Sequence, residues 1–118
     1  MKRLLILIVG SVLGANLATA GGDPEAGKAK AQVCAGCHGP EGVSPAPNFP
    51  ILAGQYEDYL LRALQEYRSG ARKDPIMGGQ VAALSEGDMA DLAAYFARQQ
   101  GLEVIDVEHA DVFKTGRD

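Results

Sequence analysis

With 118 residues and a formal net charge of −4, the chain has room for one domain and lacks the basic surface that nucleic acid demands. Three Phe, four Tyr and no Trp leave little large apolar volume for a core, and fifteen Gly add none. A chain of this size usually needs a disulfide, a metal or a bound cofactor to complete its interior.

Residues 1–20 read as a segment outside the fold. Lys2 and Arg3 give a positive start, Leu4 to Val9 is an unbroken apolar run, and Ala18-Thr19-Ala20 offers small residues at both recognition positions of a secretory cleavage site. A membrane anchor is the competing reading. The stretch to Ala20 is interrupted by Gly10, Ser11, Gly14 and Asn16, and falls short of the ~20 apolar residues a spanning helix needs. No cysteine stands at the cleavage point to take a lipid. The expectation is an exported, periplasmic protein, cleaved near Ala20 and without stable membrane insertion. Losing Lys2 and Arg3 leaves nine basic residues against fifteen acidic ones, a charge near −6 that also disfavours anionic lipid.

Asp23-Pro24-Glu25 predicts a helix start, with Asp as N-cap, Pro in the first turn and Glu at the positive end of the dipole; the helix should run toward Cys34. Pro40, Gly42, Pro45, Pro47 and Pro50 then make residues 39–50 an irregular loop. Tyr56, Tyr59, Leu60, Ala63, Leu64 and Tyr67 recur at helical spacing, and Gly70 predicts the stop. Residues 72–81, with Pro75, Met77, Gly78 and Gly79, read as loop. A third helix opens at Ser85, where Asp88 three residues on suggests a capping box with Asp in place of Glu. Its stripe is Met89, Leu92, Ala93 and Phe96, ending at Gly101. Residues 102–118 are apolar in places but without period, and read as a tail. No alternation marks a sheet and no repeat appears. The expected organisation is an all-α domain over 21–101 with three main helices.

The chemistry concentrates in Cys34-Ala35-Gly36-Cys37-His38. Cys-x-x-Cys-His is the signature of covalent haem attachment. Residues three apart on a helical turn project from one face, so both sulfurs can bond one haem edge. His38 then falls beneath the iron, and the small Ala35 and Gly36 let the backbone lie close to the porphyrin rim. Other uses of the motif fit less well. A thioredoxin-like dithiol belongs in a strand-then-helix setting that is missing here. Zinc needs four ligands where three are offered. A plain disulfide would close too small a loop to stabilise much. One haem c, bonded through Cys34 and Cys37, is the expected cofactor.

The sixth iron ligand has three candidates: Met77, Met89 and His109. Met89 lies on a core stripe, where Met is usually packing. His109 sits in a polar tail beside Glu108 and Asp111. Met77 lies in a Gly/Pro segment between two helices, where it can close over the haem face opposite His38. It is preferred, with the other two held as alternatives. A His/Met pair fills both axial positions, and a thioether favours ferrous iron. That makes a carrier of electrons rather than a catalyst.

The chain resembles the class I cytochromes c, and most closely the small bacterial periplasmic members and one lobe of their two-haem relatives. The likeness runs from Gly22 to Gly101. It is carried by the residues Gly22 to Lys28 leading into Cys-x-x-Cys-His, by Cys37-His38-Gly39-Pro40-Glu41-Gly42, and by Pro47-Asn48-Phe49-Pro50-Ile51-Leu52-Ala53-Gly54-Gln55 followed by Tyr59-Leu60. Arg72 five residues before Met77, Leu84-Ser85 and Asp91-Leu92-Ala93-Ala94-Tyr95-Phe96 extend it. The resemblance implies a class I cytochrome c fold, with loops wrapped around one haem and His38 and Met77 as axial ligands. It implies that the first and last helices cross closely, Gly27 leaving space for Tyr95 or Phe96. It further implies that a carbonyl within 47–50 accepts the other ring N–H of His38. A single Cys-x-x-Cys-His excludes two haems on this chain, and the tail has no counterpart in the shortest members.

The function expected is periplasmic electron transfer between redox proteins, a membrane electron-transfer complex on one side and a terminal oxidase or reductase on the other. Two alternatives stand beside it: an electron-transfer subunit of a larger oxidoreductase, and a haem enzyme or gas sensor with a labile sixth ligand. No distal His-plus-Arg set supports the last. Lys28 and Lys30 read equally as a docking patch at the haem edge or a solvated helix face. Arg72 reads as a surface residue able to meet a haem carboxylate.

Overall fold

The computed structural model describes residues 21–101. Over them the chain forms α1 (Pro24–Lys30), a 3-10 turn (Ala31–Val33), α2 (Ala35–His38), α3 (Glu57–Ser69), α4 (Pro75–Val81) and α5 (Glu86–Ala97), with no strand among the described residues. The expected signal segment, residues 1–20, and the expected tail, residues 102–118 with His109, lie outside that range.

Three helix starts follow from capping. Asp23 accepts from the Glu25 N–H at 2.9 Å with Pro24 at the first helical position, as its sequence suggests. Ser85 and Asp88 form a closed box: the Asp88 N–H donates to Ser85 Oγ at 3.1 Å and the Ser85 N–H to Asp88 Oδ2 at 2.9 Å. The shorter Asp thus does the work of the usual Glu. The third start, Asp74-Pro75, corrects the reading of residues 72–81 as loop. Asp74 Oδ1 accepts from the Ile76 and Met77 N–H groups, both at 2.9 Å, and α4 carries Met77 in its first turn. The signal is the same Asp-Pro pair that opens α1. Gly78 and Gly79, each costing about 1 kcal/mol against Ala in a helix, concealed it.

The ends differ more. The first helix does not run evenly to Cys34 but tightens to 3-10 geometry after Lys30. Helix α3 stops at Gly70, whose φ of +80° is left-handed and favours glycine. Helix α5 ends at Ala97 rather than Gly101, because its last carbonyls are taken by other groups. Gly54 N–H donates to the Phe96 carbonyl at 3.0 Å, and Gln99 Nε2 to that of Tyr95 at 2.8 Å.

The core is built on α5, which packs against α1 on one side and α3 on the other. Met89, Leu92, Ala93, Ala94, Tyr95 and Phe96 are all buried, and Ala31 and Leu60 meet them from α1's extension and α3. Burying a Leu- or Phe-sized side chain contributes roughly 1.5–3 kcal/mol, so this stripe supplies a substantial part of the drive to fold. The α1–α5 crossing depends on Gly27. A Cβ there would lie 2.0 Å from the Asp91 carbonyl oxygen and 2.8 Å from Tyr95 Cβ, so no other residue fits without separating the helices. Tyr95 is therefore the aromatic over Gly27, while Phe96 turns to the cavity described below. Lys30 closes the same crossing by bridging to Asp88 at 2.9 Å and to Asp91, whose other oxygen accepts from the Asp23 N–H at 2.7 Å.

Candidate cofactor site

An apolar cavity of about 310 Å³ opens between α2, the 39–55 loop, α3, α4 and α5. Leu60, Leu64, Leu92 and Phe96 line its inner part, and Val33 and Ile76 stand at the surface, 72% and 59% exposed. Cys34, Cys37, His38 and Met77, the four residues singled out in the sequence, all line it. Met89 does not: it is fully buried in the core, in keeping with a packing role.

The local fold sets each group. The N–H of His38 donates to the Cys34 carbonyl at 2.9 Å and that of Gly39 to the Ala35 carbonyl at 3.0 Å, so Cys34 and Cys37 sit one helical turn apart. Gly39, at φ +82°, ends the turn immediately. Both cysteines are half-buried. Burial, and to a smaller extent the neighbouring Cys37, push the Cys34 thiol above its ordinary value. A redox-active dithiol needs the opposite, a thiol lowered toward thiolate at neutral pH. No group of three or more His, Cys, Asp or Glu side chains converges as a metal site among the described residues.

His38 is 6% exposed, and its Nδ1 lies 2.8 Å from the Pro50 carbonyl oxygen. That carbonyl lies within the 47–50 stretch that the resemblance implied. As an acceptor it draws the proton to Nδ1, leaving Nε2 as the basic nitrogen. Phe49 meets the imidazole edge-on at 6.2 Å between ring centres and restricts its rotation. The loop is itself held down: Gly42's carbonyl accepts from Leu52 at 2.8 Å and Ala53 at 3.2 Å, and Ser44 Oγ bonds Ala46 O at 2.9 Å.

Met77 reaches the same cavity by a different route. It is half-buried on α4, positioned by the Asp74 cap rather than by an irregular loop as the sequence suggested. Phe49, Pro50 and Tyr67 also line the cavity and were not assigned there individually. Tyr67 was legible only as part of the α3 stripe, and nothing in the sequence separates its cavity-facing role from core packing. Lys30 is paired with Asp88 and Asp91, while Lys28 is exposed. Arg72 engages Glu66 at 3.1 Å and lies over the rings of Tyr59 and Tyr67.

The donor set fits a covalently held haem: two thiols on one face, a buried imidazole with one oriented nitrogen, and an apolar chamber. The family model for cytochrome c matches residues 24–99. The chain belongs to the cytochrome c family. It is 49% identical over 100 residues to cytochrome c4 of Pseudomonas aeruginosa, covering 85% of this chain and 50% of that protein. The chain thus spans about half the length of that curated relative. Among solved structures it is similar to reduced cytochrome c4 from Pseudomonas stutzeri, with a TM-score of 0.66 and 49% identity over 69% of this chain and 47% of the other. It is also similar to a thiosulfate dehydrogenase from Marichromatium purpuratum, with a TM-score of 0.64 and 37% identity over 70% of this chain and 20% of that one. The fold is that of a class I cytochrome c, and the cofactor is haem c, for which Cys34 and Cys37 are the only cysteine pair in the chain.

Proposed function

We propose that the protein is a periplasmic electron carrier in which His38 and Met77 are the axial ligands of a haem bonded to Cys34 and Cys37, and that it catalyses no reaction of its own. The observation that carries this reading is the meeting of all four side chains on one apolar cavity. The cofactor supplies a single one-electron couple at iron. The chain's own residues determine how that couple behaves. The Pro50 carbonyl fixes the His38 tautomer and leaves Nε2 as the nitrogen free to ligate. Leu60, Leu64, Leu92 and Phe96 exclude water and lower the local dielectric. The Asp74 cap presents Met77, a soft ligand that favours the reduced state. With His38 and Met77 retained as ligands in both states, little would need to rearrange and no site would open for substrate. Val33 and Ile76 leave an apolar rim through which an electron can pass to a docked partner.

The export features of residues 1–20 support cleavage near Ala20 and a periplasmic location, and residues 21–101 form the working domain. No helix among the described residues is long and apolar enough to cross a membrane. The partners proposed are redox proteins, a membrane electron-transfer complex and a terminal oxidase or reductase. The similarity to a thiosulfate dehydrogenase favours a second reading, an electron-transfer unit that stays bound to a larger oxidoreductase. Two measurements on haem-loaded protein test the proposal: reversible one-electron titration, and exposure of the reduced form to carbon monoxide. A single reversible couple with negligible carbon monoxide binding is expected. Rapid carbon monoxide binding would instead mark an open iron and a haem enzyme or sensor.

A further inference from the structure

Helix α4 is lightly held for an element that presents a proposed iron ligand. Val81 is its only buried residue, and among the other helices α4 packs chiefly on α3. Arg68 Nη1 ties its far end to α3 by donating to the Leu84 carbonyl at 3.1 Å, and its near end is tied through residues 70–74. There the Arg72 N–H donates to the Glu66 carbonyl at 3.1 Å, and Arg72 Nε donates to Glu66 Oε2, also at 3.1 Å. The guanidinium carbon lies 5.4 Å from the centre of the Tyr67 ring and 5.8 Å from that of Tyr59, one cation shared by two aromatic faces. Two residues on, Asp74 accepts from the Met77 N–H. Arg72 does not line the cavity itself; Tyr67, Asp74 and Met77 do.

We propose that Arg72 is the positioning residue for Met77: stacked on Tyr59 and Tyr67 and bonded to Glu66, it pins the loop whose Asp74 caps the Met77 helix, and so keeps the thioether at the cavity. This rests on the reading of Met77 as the sixth ligand. An exposed Arg–Glu pair alone would hold little, since such pairs contribute near zero. Here the pair is joined by a backbone hydrogen bond and two ring faces, all on α3, which fixes the loop against one rigid element. The planar fork matters as well as the charge: Lys can pair with Glu66 but cannot lie flat on either ring while doing so.

The test compares haem-loaded wild type, Arg72→Leu, Arg72→Lys and Met77→Ala. Two readouts are taken, the long-wavelength Met-to-ferric absorption band and the affinity of the ferric protein for added imidazole, which competes with Met77. In Arg72→Leu the band should weaken and imidazole should bind about tenfold more tightly, the effect of losing a stacked cation on a ligand-on equilibrium. Arg72→Lys should recover only a minor part. A variant with wild-type band and imidazole affinity but a lower melting temperature would overturn the proposal, leaving Arg72 as ordinary structural support. Full rescue by Lys would overturn the stacking argument. A wild type without the band, or a band that survives Met77→Ala, would mean that Met77 is not the ligand, and both claims would fall together. An unchanged Arg72→Leu beside a normal wild type would sink this one alone.

Discussion

The two sides of the cavity are built by opposite means. Behind Cys34, Cys37 and His38 lies the α1–α5 crossing, where helix backbones approach so closely that only glycine fits at position 27 and six residues of α5 are buried. His38 itself is buried and bonded to Pro50. Across the cavity, Met77 rides on a seven-residue helix with two glycines, a side-chain cap and one buried residue. The first side is held by packing, which deforms only at high cost. The second is held by polar contacts at the surface, which open at low cost. The wall that carries the cysteines and His38 is therefore the rigid one, and the wall that carries Met77 the yielding one.

The comparison can be broken most severely at Gly27. Gly27→Val drives a branched side chain into the Asp91 carbonyl and Tyr95. The variant should lose about 3 kcal/mol or more in denaturant unfolding, and the loss should reach every probe of the fold. If Gly27→Val is tolerated, the tight crossing does not hold the domain together.

Asp74→Ala tests the other wall. It strips the acceptor from the Ile76 and Met77 N–H groups and should cost about 1 kcal/mol, confined to α4. The Met-to-ferric band should melt at lower temperature than helix signal from the rest of the domain. Coincident melting of the two would show that α4 is not the weaker element.

The smallest effect is expected from acid. Asp88 and Asp91 are both held below the ordinary carboxylate value of 3.8, first by their bonds to Lys30, then by the Ser85 and Asp23 N–H groups respectively. A depressed carboxylate contributes stability that is present above its unfolded pKa and lost as pH falls below it. Lys30, raised above 10.5 by the same partners, contributes stability present below that value and lost above it. All three groups lie at the surface and are part-exposed, so the effect is modest. Lys30→Met should lower stability at neutral pH and flatten its decline between about pH 5 and about pH 2. An unchanged acid profile would show that the bridge contributes nothing.

Much of this design is readable in the sequence. The attachment motif, the Asp23-Pro24 and Ser85–Asp88 starts, the Gly70 stop and the α5 stripe are local signals, and each survives folding because tertiary contacts reinforce it. The end of α5 was not readable, since Gly54, distant in sequence, takes the Phe96 carbonyl. Helix α4 is hidden in the sequence because two glycines outweigh a cap whose value depends on docking against α3. The choice of Pro50 over its neighbours depends on how a proline-rich loop curls onto His38. No local pattern records that.

The most direct test of the central claim is an absorption spectrum of oxidised protein matured in a host that attaches c-type haem, recorded for wild type and for Met77→Ala. A low-spin spectrum with the weak Met-to-ferric band in the wild type, absent from the variant, is the predicted result. A wild-type spectrum with no such band, or one the substitution leaves unchanged, would contradict it.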